Sequence, residues 1–127
     1  MPHIQIEYSP NLEDEIDFRE FCEALRDSAA GTGIFSLAGI RVRAFKCDHW
    51  AIADGDGRNG FVDISVRIRG GRPPDAKKRA AQAIFERAQA FLTPALESRP
   101  TALSLELREI DPELSPRSNT IRRRVAT

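Results

Sequence analysis

Charge of one sign is what this 127-residue chain most plainly lacks: 19 basic and 19 acidic side chains cancel to a formal net charge of zero. A dedicated binder of nucleic acid or of an anionic membrane surface carries a surplus of Lys and Arg, so neither partner is expected. A local cluster of arginines in a pocket remains compatible with that balance. Long apolar runs are missing as well, and nothing approaches the ~20 residues that span a bilayer. No basic segment followed by an apolar stretch opens the chain, so no secretory signal is expected and the cytoplasm is the expected location. Cys22 and Cys47 are the only cysteines. Two thiols make neither a disulfide framework nor a metal site, and reduced side chains are expected, with Cys22 on the apolar side of a helix. His3 and His49 are the only histidines, which excludes a multi-histidine metal site and leaves a Ser-His-Asp triad few candidates. The glycine-rich dinucleotide fingerprint, the Walker loop and the GxSxG elbow are absent. Asp54-Gly55-Asp56-Gly57-Arg58-Asn59-Gly60 resembles a calcium loop only superficially. Arg58, Asn59 and Ser65 stand where a ligand, the glycine and the closing glutamate belong, so a hairpin turn is expected there and no metal.

What is present is an ordinary globular composition, 41% hydrophobic and 30% charged. One domain over residues 1–127 is expected from that length. Ile4, Ile6 and Tyr8 alternate with His3, Gln5 and Glu7, predicting a strand from Pro2 to about Tyr8. Asp17 caps a first helix, with Glu20 completing a capping-box pattern, and Phe18, Phe21, Cys22, Leu25 and Ala29 form its apolar stripe. Gly31 and Gly33 stop it. Ile40, Val42 and Ala44 alternate with Arg41, Arg43 and Phe45 in a second strand that continues, bent, toward Ile52. Val62, Ile64, Val66 and Ile68 mark a third strand, broken by Gly70-Gly71-Arg72-Pro73-Pro74. A second helix is expected from about Asp75 to Glu97, then a strand through Leu103, Leu105 and Leu107.

The order is strand-helix-strand twice: a first half over 1–52, a second over 61–110, and a polar tail over 111–127. A long helix between two strands implies a parallel pair with a right-handed crossover. The expected fold is therefore α+β, a duplicated β-α-β unit with a four-stranded mixed sheet and two helices packed on one face. The opposite face carries Gln5, Glu7, Arg41, Arg43, Asp63, Ser65, Arg67, Glu106 and Arg108. It is either solvated or lines a wet interior surface of an oligomer.

Three residues are candidates for chemistry. When the initiator methionine is removed, as is usual before a small residue, Pro2 starts the chain with a free secondary amine. An apolar pocket and nearby positive charge both disfavour the ammonium form, and bring the amine toward the pKa a general base needs at neutral pH. Arg41 opens the second strand just after Leu37-Ala38-Gly39, and Arg72 follows a Gly-Gly break just before a helix. Guanidinium groups bind carboxylates through paired hydrogen bonds, so two of them suit a multiply anionic substrate. Trp50 reads as a core or interface residue. Arg122-Arg123-Arg124 reads as a solvated tail.

Several stretches taken together resemble the 5-carboxymethyl-2-hydroxymuconate isomerases of the tautomerase superfamily. They are Met1-Pro2-His3-Ile4, Glu7-Tyr8, Thr32-Gly33-Ile34-Phe35, Leu37-Ala38-Gly39-Ile40-Arg41-Val42-Arg43, Ala53-Asp54-Gly55, Phe61-Val62, Gly71-Arg72, Ala102-Leu103-Ser104 and Glu109-Ile110-Asp111-Pro112-Glu113-Leu114-Ser115. The block from Gly33 to Arg43 is the most specific. The resemblance implies the fold just derived, assembled as a trimer with the sheets around a central axis. It implies an isomerase using neither metal nor organic cofactor. Its substrate would be a small-molecule carboxylate, the dienol 5-carboxymethyl-2-hydroxymuconate, converted to 5-carboxymethyl-2-oxo-3-hexene-1,6-dioate during homoprotocatechuate breakdown. By position the general base falls on Pro2, and the substrate-binding, catalytic arginines on Arg41 and Arg72. The sequence also departs from the family pattern. Ser36 replaces a usual proline, Arg69 adds a charge before Arg72, and of the usual tail only Asn119 and Ile121 hold. Two other readings stay open: a sister enzyme acting on another unsaturated enol acid, and a non-catalytic interaction module of the same fold.

Overall fold

The computed structural model describes residues 1–125, so the last two positions of the expected tail, 126 and 127, lie outside the described residues. Alternation of apolar and polar side chains produces four strands: β1 (His3–Tyr8), β2 (Arg41–Lys46), β3 (Gly60–Arg69) and β4 (Thr101–Ile110). They form one mixed sheet in the order β2-β1-β3-β4. β1 and β2 are parallel, β3 and β4 are parallel, and β1 and β3 meet antiparallel at the centre. Each parallel pair is bridged by a helix, α1 (Phe18–Gly31) in the first half and α2 (Pro74–Phe91) in the second. The expected duplicated β-α-β architecture is present.

Ile4, Ile6, Tyr8, Val62, Ile64, Val66 and Ile68 point to one side of the sheet and are buried. Their alternation puts the polar partners on the other face. Both helices cover the apolar side with the stripe of Phe21, Leu25, Ala29, Ile84 and Ala88. Tyr8 stacks on Phe18 with ring centroids 3.6 Å apart, and Phe21 reaches Phe91 across the helix pair at 5.2 Å. Asp17 caps α1 as expected: its carboxylate accepts from the backbone N–H of Arg19 and Glu20 at 2.9 and 3.2 Å.

Local details differ from the sequence reading in four places. The second helix is not continuous to Glu97. It ends at Phe91, and a short α3 (Thr93–Ser98) follows. Pro94 has no N–H to donate one turn back to Ala90, so the ladder breaks there. The left-handed residue after α1 is Gly33, at φ +77°, while Gly31 completes the last helical turn. β2 stops at Lys46 and does not continue to Ile52. The Asp54–Gly60 segment is not a hairpin turn, because β1 lies between β2 and β3. It is a cross-connection, tightened by its own aspartates. Asp54 accepts from Asp56 N–H and the Asn59 amide, and Asp56 takes the Arg58 guanidinium through both oxygens.

Candidate active site

The sheet register brings the sequence-predicted residues toward one end of the first half. The parallel pairing sets His3 beside Arg41, and the Pro2 carbonyl accepts from the Arg41 N–H at 3.1 Å. Pro2 is fully buried. In this chain Met1 precedes it, so the free amine belongs to Met1 and the Pro2 nitrogen is an amide. The chain enters β2 through a 3-10 turn, Leu37–Gly39, closed by hydrogen bonds from Gly39 N–H to Ser36 and from Ile40 N–H to Leu37. Gly39 is buried against the chain start. A Cβ there would stand 2.5 Å from the Met1 nitrogen, closer than atoms tolerate. Glycine is therefore required by close approach of two backbones, not by an unusual φ.

The amine at the start of the chain is depressed from 8.0 to about 6. Desolvation is the largest cause, followed by the positive charges of Arg41, Arg117, Arg122 and Arg72 in that order. Burial removes the water that would solvate an ammonium, and four guanidinium groups oppose a fifth positive charge. Both effects act here on the amine of Met1, one residue before Pro2.

Arg72 reaches the same region from the loop between β3 and α2. Its guanidinium donates to the Arg69 carbonyl at 2.9 Å and to the Ile34 carbonyl at 3.0 Å, and stacks over Phe35 at 5.1 Å. Gly71 makes the sharp approach possible, at φ +111°. Two of the five guanidinium N–H donors are used by the backbone, which fixes the plane and leaves the others for a carboxylate. Arg69, suspected of adding charge to the site, is exposed and contributes its backbone oxygen to Arg72.

Sequence reasoning missed the contacts of the tail. Arg122, Arg123 and Arg124 are exposed as expected, yet the segment returns to the Leu37–Gly39 turn. The Asn119 amide donates to the Ala38 carbonyl at 2.9 Å, and Arg122 donates to the Ser36 hydroxyl at 3.1 Å. Asn119 also caps the Thr120–Arg123 turn that carries Arg122. Asn119 and Ile121 were the two tail positions that kept the family pattern, and that was the available signal. Trp50, expected in a core or interface, is 46% exposed in the protomer.

Across the open sheet face the registers align Arg41, His3, Arg67 and Arg108 in one row. Arg108 is paired with Glu106, whereas His3 accepts from Arg43 through Nδ1 at 3.2 Å. Desolvation first, then Arg67, Arg43 and Arg41, push His3 down from 6.5 to about 4, so it is neutral near pH 7. A concavity of about 660 Å³ lies elsewhere, between α2 and β4, lined by Lys78, Arg79, Ala81, Gln82, Phe85 and Leu105. It carries none of the groups named above. An amine lowered by burial and by guanidinium charge is able to accept a proton, and guanidinium groups are able to hold carboxylates.

Comparison with known proteins gives a consistent picture. The family model described as 5-carboxymethyl-2-hydroxymuconate isomerase matches residues 2–125. A relative from Escherichia coli named 5-carboxymethyl-2-hydroxymuconate Delta-isomerase is 35% identical over 121 residues, covering 95% of this chain and 96% of the relative. The crystal structure of a 5-carboxymethyl-2-hydroxymuconate isomerase from Deinococcus radiodurans R1 superposes with a TM-score of 0.90 at 28% identity, covering 97% of this chain and 92% of that one. A second crystal structure, of a 5-carboxymethyl-2-hydroxymuconate delta-isomerase, gives 0.88 at 29% identity, over 97% and 91%.

Proposed function

Because the chain belongs to the 5-carboxymethyl-2-hydroxymuconate isomerase family, an intramolecular isomerase family, we propose that it carries out that isomerisation with the nitrogen of Pro2 as its base. Met1 is removed first, which turns the Pro2 amide into a secondary amine. The amine takes the proton of the 2-hydroxyl. The O–H electron pair becomes the C2=O bond, the C2=C3 pair moves to C3=C4, and the C4=C5 pair takes a proton at carbon five from the prolyl ammonium. No electron is gained or lost overall, and one group gives and accepts the proton. Arg41 and Arg72 bind substrate carboxylates, and one of them stabilises negative charge on the 2-oxygen as the enolate forms. The site works without metal or organic cofactor, in the cytoplasm, within the breakdown of homoprotocatechuate. The protomers assemble as a trimer with the polar sheet faces around the axis. Unpaired β2 and β4 edges and the half-exposed Phe45 and Trp50 suit such burial.

The observation that carries the reading is the buried Pro2 whose carbonyl accepts from the Arg41 N–H, in a chain of this family, with the Met1 amine in front of it lowered by burial and by Arg41. The test pairs mass spectrometry of the N-terminus with an ultraviolet assay of dienol loss. Processed protein should turn the muconate dienol over, and Pro2→Ala should lower kcat by about 10²-fold, within the usual range for a general base. Processed protein that ignores the dienol but hydrates an unsaturated acid refutes the isomerase reading. So does full activity in protein shown to be blocked at its N-terminus.

A further inference from the structure

No described residue of the tail belongs to the buried core. The core is complete without it: Asn119 is only half-buried, and Arg117, Ile121 and Arg122 are exposed. Yet two side-chain hydrogen bonds from Asn119 and Arg122 fasten it to the Ser36–Ala38 segment. The next residue, Gly39, is the one packed against the first backbone nitrogen of the chain. The tail is thereby held against the turn that leads into Arg41, two residues beyond the Ile34 carbonyl that anchors Arg72. Arg117 makes no side-chain hydrogen bond or ion pair among the described residues, and Arg122 uses one nitrogen on Ser36. Guanidinium groups without carboxylate partners among the described residues, one of them tethered to Ser36, are suited to receive a carboxylate from outside. Charge supports the same placement, since Arg117 and Arg122 both act on the amine, ahead of Arg72.

We propose that the segment from Arg117 to Arg122 is the specificity-determining wall of this site, with Arg117 and Arg122 binding the carboxylate arm of the substrate farthest from the reacting enol. The inference deepens the function proposed above. Arg41 and Arg72 serve carboxylates near the reacting carbons, and a third carboxylate requires a further cation. Asn119 is a positioning residue that keeps the segment in place.

The experiment compares two dienols of the same reactive part, the tricarboxylate and 2-hydroxymuconate, which lacks the carboxymethyl arm. Its readout is the ratio of their kcat/KM values in N-terminally processed protein. The double variant Arg117→Gln/Arg122→Gln should lower the ratio about 10-fold, mainly through the KM of the tricarboxylate. Asn119→Ala should lower it in the same direction, and lysine at both arginine positions should restore part of it. Arg123→Gln removes a neighbouring exposed charge and should leave the ratio unchanged. Calorimetric binding of propane-1,2,3-tricarboxylate against glutarate provides a reading independent of turnover. Wild type should prefer the former, and the double variant should lose that preference. A ratio within twofold of wild type in the double variant overturns the proposal, as does an equal fall in Arg123→Gln. Protein that turns over neither dienol but keeps an arginine-dependent tricarboxylate preference sinks the isomerase reading and leaves this one standing.

Discussion

The ordering of causes behind the depressed amine yields the sharpest quantitative test. Desolvation ranks first, then Arg41, Arg117, Arg122 and Arg72. A unit charge ~8 Å away in water-like surroundings is worth about 0.5 kcal/mol, or roughly 0.4 of a pKa unit. Replacing Arg41 by Gln should therefore raise the amine from about 6 by a few tenths of a unit, and Arg72→Gln should raise it by less. The charge contributions are sensitive to salt, because the screening length falls from about 10 Å at 0.1 M to about 3 Å at 1 M. Desolvation is not screened in this way. In 1 M salt the amine should climb only part of the way back toward 8.0. The measurement is an NMR titration of the amine, made on Met1-bearing protein, with the arginine variants in parallel. In processed protein the same ordering should appear as displacement of the acid limb of the kcat/KM profile. Activity rises with pH as the base loses its proton, so each lost arginine moves that limb to higher pH. A larger shift from Arg72→Gln than from Arg41→Gln would refute the ordering. Full recovery to 8.0 in high salt would refute desolvation as the leading cause.

Two further outcomes follow from the same geometry. Gly39→Ala places a methyl group 2.5 Å from the Met1 nitrogen. Met1-bearing protein should therefore lose thermal stability with this substitution, whereas processed protein should lose little stability but several-fold in kcat/KM, the methyl now standing in the vacated space. An equal melting shift in both forms would disprove that contact. His3 is held down at about 4 in the fold against 6.5 as its ordinary value, by desolvation and by Arg67, Arg43 and Arg41. Between those values the unfolded chain binds a proton that the folded chain refuses, so stability falls as pH drops from about 6.5 toward 4. Denaturant titrations should show that loss, and His3→Gln should reduce the slope in this window. An unchanged slope would assign the acid sensitivity to other groups.

Period-two alternation in Ile4-Ile6-Tyr8, Val62-Ile64-Val66-Ile68 and Leu103-Leu105-Leu107, separated by helical stripes, specified the strands, the helices and the face each strand buries. Those patterns are local and repeat many times, so they survive without knowledge of neighbours. Asp17 as a cap was legible for the same reason. The break at Pro94 was readable from proline chemistry alone, but the apolar stripe running past it masked the signal. The order β2-β1-β3-β4, which makes Asp54–Gly60 a cross-connection, depends on which strands pair, and no local pattern states that.

The sequence by itself determined the duplicated architecture and singled out Pro2, Arg41 and Arg72, because position, periodicity and residue chemistry are properties of the chain. Only the tertiary structure decided that the polar tail folds back, that Asn119 and Arg122 grip the Ser36–Ala38 segment, and that four arginines share one amine. Hydrogen bonds spanning more than 80 residues leave no periodic trace, and an electrostatic field depends on distances that exist only once the chain has folded.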